Sequence, residues 1–326
     1  MNPRYALRAL GVSSVAAVCL LGSDPSHAAT YGYSTQFEAS EGYDAAYELA
    51  GQRGWLGDGT GGSGLISGVI SGQGQHAYVG IWPPFSELET NLFIWQPLNF
   101  HPLAVGFPIV QFSVQMQIRD SSPTNGSYDN FRWSIYNTQG NRLFSLDFDN
   151  YDYDTNGSKY VSYLLDGTND LVAAAIRFTN GVTYSLVVTM DFASNRWSAT
   201  LNQTLVTTNQ PITTTGASLT LGDVDAVWRI YDGQWPGDNF MVFDNYQITV
   251  PPPPPARVQL LGRTTEGWVG LRVFGQDNSR WSVDATTNFT HWTALTTNPV
   301  SGASFDHMDT TTTGLLRRFY RARWVP

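Results

Sequence analysis

Apolar and polar positions alternate along much of the middle of this chain. In FRWSIYN (131–137) and RLFSLDF (142–148) large apolar residues recur at every second place, the period of a strand with one buried face. Thr138-Gln-Gly-Asn141 between them predicts a hairpin. LVAAAIRF (171–178) runs into Asn180-Gly181, a type I′ turn signal, and continues as VTYSLVVTMDF (182–192). Ala193-Ser-Asn-Arg196 then turns the chain into WSATLN (197–202), and VWRIYD (227–232) and FMVFDNYQITV (240–250) follow. Trp133 and Trp228 alternate with apolar neighbours and are expected in the core. No stretch keeps a helical period over three turns, although Ala45–Ala50 is expected to form a short helix. A dozen or so short strands predict an all-β fold, a two-sheet antiparallel sandwich of jelly-roll type.

Composition supports this reading and divides the chain. Glycine makes up 31 of 326 residues and aromatics 13%, as strands and turns require. Five prolines at 251–255 cannot donate to a sheet ladder and favour a stiff, extended linker of roughly 15 Å. The strand-rich domain is therefore set at 29–250, and a second, smaller β-sandwich at 256–326. Residues 29–250 hold 21 acids against 8 bases, a net −13, whereas 251–326 hold 5 against 8, a net +3. An acidic large domain argues against nucleic-acid or anionic-membrane partners. The basic run Arg317, Arg318, Arg321 and Arg323 leaves a nucleic-acid or acidic-polymer role open for the tail.

Residues 1–28 have the pattern of a signal peptide. Arg4 and Arg8 precede an apolar run from Ala9 to Leu21, and Ser26-His-Ala28 offers a cleavage site. The run is too short for a spanning helix, so the product is expected to be secreted, outside the cell or at its surface, without a transmembrane anchor. Val18 and the position of Cys19 argue against a lipoprotein site. Cys19 is the one cysteine, so cleavage leaves a domain held by its core or by bound ions.

Four segments carry a resemblance. FEASEGYDAAYELAGQRGW (37–55), SGQGQHAYVG (71–80), YSLVVTMDFASNRWSATLN (184–202) and VWRIYDGQWPGDNFMVFDNYQITV (227–250) resemble secreted bacterial jelly-rolls of the concanavalin A-like lectin/glucanase superfamily. That superfamily includes lectins, laminarin-binding modules and glycan hydrolases, and fold does not choose among them. The tail segments WSVDATTNFTHWTAL (281–295), FDHMD (305–309) and RRFYRARW (317–324) are similar to a small C-terminal β-sandwich in secreted proteins of Verrucomicrobia-like and planctomycete-like bacteria. Asn288-Phe289 departs from that module's Asp-Leu step. The resemblance implies envelope attachment or sorting and no catalysis.

Enzyme signatures are weak. Glucan hydrolysis on such a fold calls for carboxylates spaced as E-x-D-x-x-E on one strand, and the six glutamates do not make that pattern. Glu87-Leu-Glu89 follows Pro83-Pro84 and is read as a loop. Asp147-Phe-Asp149 puts two carboxylates on one strand face, which is expected to be a solvated outer face. Gly57-Asp-Gly59-Thr-Gly61-Gly62 has nucleotide-loop spacing without a βαβ unit around it. No zinc, serine-nucleophile or cysteine-nucleophile motif is present, and the histidines are scattered.

Sugar binding needs aromatic platforms with amide and carboxylate groups beside them. Trp235, Tyr231, Asp232, Gln234, Asp238 and Asn239 cluster in WRIYDGQWPGDN (228–239). Trp235, flanked by Gln, Pro and Gly, is the preferred platform, with Trp82, Trp95 and Trp133 as further candidates. The leading expectation is non-catalytic binding of a polysaccharide or glycoconjugate. A structural or adhesive protein without a sugar ligand, and an atypical glycan hydrolase or lyase, remain the alternatives.

A structural Ca2+ ion is a separate expectation. In jelly-rolls of this kind a metal ties the first strand to the last, and the resemblance places it here at Glu38 and Asp244. Asp152, Asp154 and Asn156 fit the first half of a calcium loop, but Tyr163 stands where the twelfth-position glutamate belongs. That segment is read as a turn first and an ion site second.

Overall fold

The computed structural model describes residues 32–59, 61–119, 128–150, 157–251, 255–277 and 279–325. The signal-peptide residues, Cys19, and the loop positions Asp152, Asp154 and Asn156 lie outside the described residues. Chain contacts divide the protein into two compact units, Ala29–Pro251 and the chain from Pro252 onward.

The larger unit opens with β1 (Tyr33–Thr35), β2 (Leu56–Asp58), β3 (Ser63–Ser67), β4 (Gln75–Gly80) and β5 (Asn91–Trp95). Next come β6 (Ile109–Arg119), β7 (Asn130–Tyr136), β8 (Arg142–Asp149), β9 (Ser158–Leu165) and β10 (Val172–Thr179). It closes with β11 (Tyr184–Asp191), β12 (Arg196–Leu201), β13 (Thr204–Pro211), β14 (Asp223–Arg229) and β15 (Phe240–Thr249). One sheet has the order β13-β12-β11-β6-β15-β4-β3, with β1 beside β15, and the other β10-β9-β8-β7-β14-β5-β2. All pairings are antiparallel. This is the all-β sandwich that the alternation predicts.

Residues of one parity fill the space between the sheets. Trp133 on β7 and Trp228 on β14 are fully buried, as their patterns predict. Trp133 packs on Phe112, Phe243 and Tyr246, with ring centroids 5.2, 5.3 and 6.2 Å away. Such tilted and edge-on contacts add to the burial of the rings themselves. Trp55 donates its indole N–H to the hydroxyls of Tyr33 and Tyr43, at 3.0 Å each. A buried indole thus keeps its hydrogen bond while it anchors the N-terminal segment to the core.

Residues 45–50 form turns and bends, not the expected helix. Gln52 gives the reason: its amide donates to the carbonyls of Asp44, Tyr47 and Glu48. One side chain satisfies three carbonyls that a helix would pair internally, and the loop is held open. The element that does form nearby is one 3₁₀ turn at Ala39–Glu41.

Asp166 pins the end of β9 to the segment after β13. Its buried carboxylate accepts from the hydroxyls of Thr213, Thr214 and Thr215 and from the N–H groups of Thr214 and Thr215. Burial pushes this carboxyl up, but the threonine hydrogen bonds outweigh it and bring it down to about 2. A lowered native value contributes stability that is full above about pH 4 and fades as pH falls toward 2. Asp166→Ala is expected to cost about 2–4 kcal/mol near neutrality and less in acid. Unfolding free energies across that range check this, and a penalty independent of pH would contradict it.

The smaller unit contains β16 (Arg257–Arg263), β17 (Val269–Phe274), β18 (Arg280–Thr286), β19 (Thr293–Pro299), β20 (Ser304–Asp309) and β21 (Phe319–Trp324). They form two three-stranded sheets, β16-β17-β20 and β19-β18-β21, around Leu271, Val273, Trp281, Val283 and Tyr320. The basic run at the end is largely paired. Arg321 and Arg323 both reach Asp284, at 3.2 and 3.1 Å, and Arg318 reaches Asp309 at 2.9 Å. No helix among the described residues is long and apolar enough to cross a membrane.

Candidate functional site

Three loops of the larger unit meet where β4 ends. Gly80 N–H donates to the Gly62 carbonyl at 2.6 Å, and Ile81 N–H to the Asn239 carbonyl at 3.4 Å. A Cβ on Gly61 would sit 2.5 Å from the Pro83 carbonyl oxygen, and one on Gly233 would sit 2.1 Å from that of Glu87. Such approaches are open only to glycine. The loop after β2, the loop after β4 and the loop between β14 and β15 therefore abut, although they are distant in sequence.

Between the first two of these loops and the 45–48 turn lies a cleft of about 560 Å3. Tyr47, Glu48, Tyr78, Trp82 and Phe85 line it, over a floor that includes Gly62 and Gly64. Trp82 is 62% exposed, an unusual position for an indole unless it has a partner to meet. Below it, the Tyr78 hydroxyl feels the Trp82 indole N–H as a donor. Burial raises the Tyr78 phenol above its ordinary value; the Trp82 hydrogen bond works against this, and the charge of Glu48 works with it. The Tyr78 ring lies on Gly64, where a Cβ would come within 2.9 Å of its hydroxyl.

The segment 228–239 continues this rim. Tyr231 is 87% and Trp235 64% exposed, so the platform expected at Trp235 does face outward. Asp232 and Gln234 are also exposed, but the Asp232 carboxylate accepts the Gln234 N–H at 3.0 Å and shapes its own turn. Asp238 is half-buried. Asn239 differs from the expectation of a ligand contact. It is buried, accepting from the Asp129 N–H at 3.1 Å and donating to the Asp129 carbonyl at 2.7 Å.

Asp129 itself is the residue that sequence reasoning missed. Fully buried, it accepts from Tyr231 N–H at 2.9 Å, Gly237 N–H at 2.8 Å and the Trp228 indole at 3.0 Å. One carboxylate closes both ends of the ring-bearing loop. Burial raises its carboxyl above the ordinary range, and those three donors pull it back. An acid just before a strand gives no sequence signal for such a role.

The other expected site residues are placed elsewhere. Trp133 is core, and Trp95 stands on the face of β5 turned away from the core. Asp147 is not on a solvated face: it is 2% exposed and accepts from Arg132, Arg229 and Ser145. Glu38 accepts the Gln75 N–H at 3.3 Å. Asp244 is fully buried, with His76 Nδ1 at 3.3 Å and Asn245 N–H at 2.6 Å. The other imidazole nitrogen of His76 accepts the Ile70 N–H. Each member of this set already meets a protein donor, and no three His, Asp or Glu side chains gather around an ion among the described residues. Glu38 and Asp244 thus each have a protein donor, and no role is derived from the expected calcium clasp.

No family model and no curated protein matches the chain. Solved structures align with it at low identity. A chain described as a sialidase aligns over 68% of this protein at 8% identity and a TM-score of 0.43, and this protein spans 19% of that chain. The carbohydrate recognition domain of Emp47p aligns over 70%, at 10% identity and a TM-score of 0.43, with 99% of that domain covered. A basic winged bean lectin solved with Tn-antigen aligns over 67%, at 9% identity and a TM-score of 0.42, with 96% of the lectin covered.

Proposed function

We propose that the larger unit binds a neutral glycan in the rim cleft. The observation that carries this reading is the set of exposed rings, Tyr47, Trp82 and Phe85, around a cleft of about 560 Å3. Pyranose rings present apolar C–H faces that stack on such side chains, and their hydroxyls pair with polar groups at the edge. Glu48 is the acceptor available there, and the lining contains no lysine or arginine. An acidic polymer would meet Glu48 and a domain of net −13, so a neutral chain is the better electrostatic match. Tyr231 and Trp235 extend the surface for a longer chain. The leader-like pattern of residues 1–28 supports a role outside the cytoplasm, with the smaller unit as an attachment appendage.

Screening the full chain against immobilised neutral polysaccharides tests this. Retention is expected, and Trp82→Ala is expected to weaken it about tenfold or more, since aromatic anchors dominate such contacts. Its melting temperature should stay close to that of the parent, because the ring is exposed. Retention unchanged in Trp82→Ala would move the site elsewhere.

A further inference from the structure

The sheet β19-β18-β21 of the smaller unit gathers positive charge on one face. Trp281, Val283, Ala285 and Tyr320 enter the core of that unit. Alternation therefore turns Arg280, Ser282 and Asp284 of β18, and Arg321 and Arg323 of β21, the other way. The register sets Arg321 against Asp284 and Arg323 against Ser282. Asp284 is the one acid in these three strands, so three guanidinium groups share a face with a single carboxylate.

The way that carboxylate is shared leaves the arginine forks open. Arg321 and Arg323 both reach the same oxygen, Asp284 Oδ2, each through Nε alone, at 3.2 and 3.1 Å. Ser282 Oγ donates to Oδ1. A closed pair uses two parallel N–H groups, as Arg272 does with Asp306 on the other sheet. The Nη ends of Arg321 and Arg323 have no such partner among the described residues, and their side chains are 33% and 40% exposed. The two arginines stand two residues apart on one strand, about 7 Å. Trp292 holds the first of them, with its ring centroid 4.4 Å from the guanidinium carbon. A guanidinium stacked by its face keeps its edge for in-plane hydrogen bonds. Phe289, from the same loop as Trp292, is exposed and takes φ +65°, a costly conformation for a bulky residue. Its ring lies 3.9 Å from that of Phe319 and extends the apolar end of the row.

We infer that this face is a second binding site, independent of the rim cleft, for a carboxylated polysaccharide. Its uronate groups pair with the open edges of Arg321 and Arg323, Arg280 adds charge, and a pyranose ring meets Trp292 and Phe289. A surplus of two charges suits a polymer whose carboxylates are spaced by whole sugar rings. Duplex nucleic acid is a poorer match, with one charge per about 1.7 Å of axis. At physiological salt charges more than about 8 Å away are largely screened, so this local surplus outweighs the net −9 of the chain.

Isothermal titration of the full chain with polygalacturonate and alginate tests the assignment, with duplex DNA and phosphatidylglycerol vesicles as the competing chemistries. At least one uronate polymer is expected to bind, and more tightly than DNA or vesicles. Arg323→Gln leaves Arg321 on Asp284 and should keep the fold while weakening binding about threefold or more. Arg280→Gln should act in the same direction, and Trp292→Ala should weaken binding about fivefold or more. Arg321→Lys keeps the charge, loses the fork and should also weaken it. Arg257→Gln, at an arginine stacked on Phe274 of the other sheet, should leave binding unchanged, as should Trp82→Ala. No binding of either uronate polymer would overturn the inference, as would tighter binding of DNA or vesicles. Binding that survives both Arg323→Gln and Trp292→Ala would overturn it too. The rim reading stands apart from these outcomes, because retention on a neutral polysaccharide should persist in Arg323→Gln and weaken in Trp82→Ala.

Discussion

Asp129→Ala is expected to lower the stability of the larger unit by about 3–5 kcal/mol. The substitution leaves three donors without an acceptor: the buried Gly237 N–H and Trp228 indole and the half-buried Tyr231 N–H. Water cannot replace the carboxylate cheaply, because Asp129 is fully buried. Asp129→Asn keeps the volume and one carbonyl oxygen, so its cost should be smaller, about 1–3 kcal/mol. The two variants should also differ locally. Backbone amides of 231–239 are expected to exchange faster in Asp129→Ala, while those of β11 and β12, outside this network, keep their protection relative to global stability. Chemical denaturation and amide exchange check both expectations. A loss below about 1 kcal/mol would mean that the loop holds its shape without this carboxylate.

Gly80→Ala is the second large effect. Gly80 has φ +105°, and a Cβ there would lie 2.6 Å from the Asn239 carbonyl oxygen and 2.8 Å from the Phe240 Cα. Both obstacles are backbone, at the start of β15 and the residue before it, so no rotamer change relieves them. The residue also donates to Gly62 and accepts from the Trp82 N–H at 2.9 Å. Moving it displaces the whole junction that presents Trp82. A cost of about 3 kcal/mol or more is expected, together with weakened glycan retention. Gly72→Ala is the control. Its φ is +79°, but nothing lies within 4 Å of the added carbon, so about 1–2 kcal/mol of backbone strain is all it should show. Equal penalties at the two glycines would argue that the junction is looser than its geometry.

Sequence and structure agree where a local rule decides. Period-two alternation places Trp133 and Trp228 inward because a strand has only two faces, and flanking Gln and Pro mark Trp235 as exposed. The same rule failed at the start of β14. The run VWRIYD points to a strand beginning at Val227, yet the strand begins at Asp223, because two aspartates discourage a strand assignment and the register that pairs them with Tyr136 and Ser134 of β7 is long-range. At Ala45–Ala50 helix propensity is overridden by the amide of Gln52, a local side-chain-to-backbone contact. The cleft joins Tyr47 to Trp82 and Phe85, and the Asp129 latch reaches across about a hundred residues to Tyr231 and Gly237. Contacts of that range leave no spacing to read in a single sequence. The glycines that permit them are visible, but not which of them carry close approaches.

The proposed stacking of a glycan ring on Trp82 is open to direct observation. Its most direct test is an NMR titration that follows the indole N–H resonances of the full chain, with that of Trp82 assigned through Trp82→Phe. Adding a hexasaccharide that the screen retains should shift the Trp82 signal in proportion to occupancy, while the buried Trp133 signal stays in place. Saturable binding with an unmoved Trp82 resonance would contradict the account.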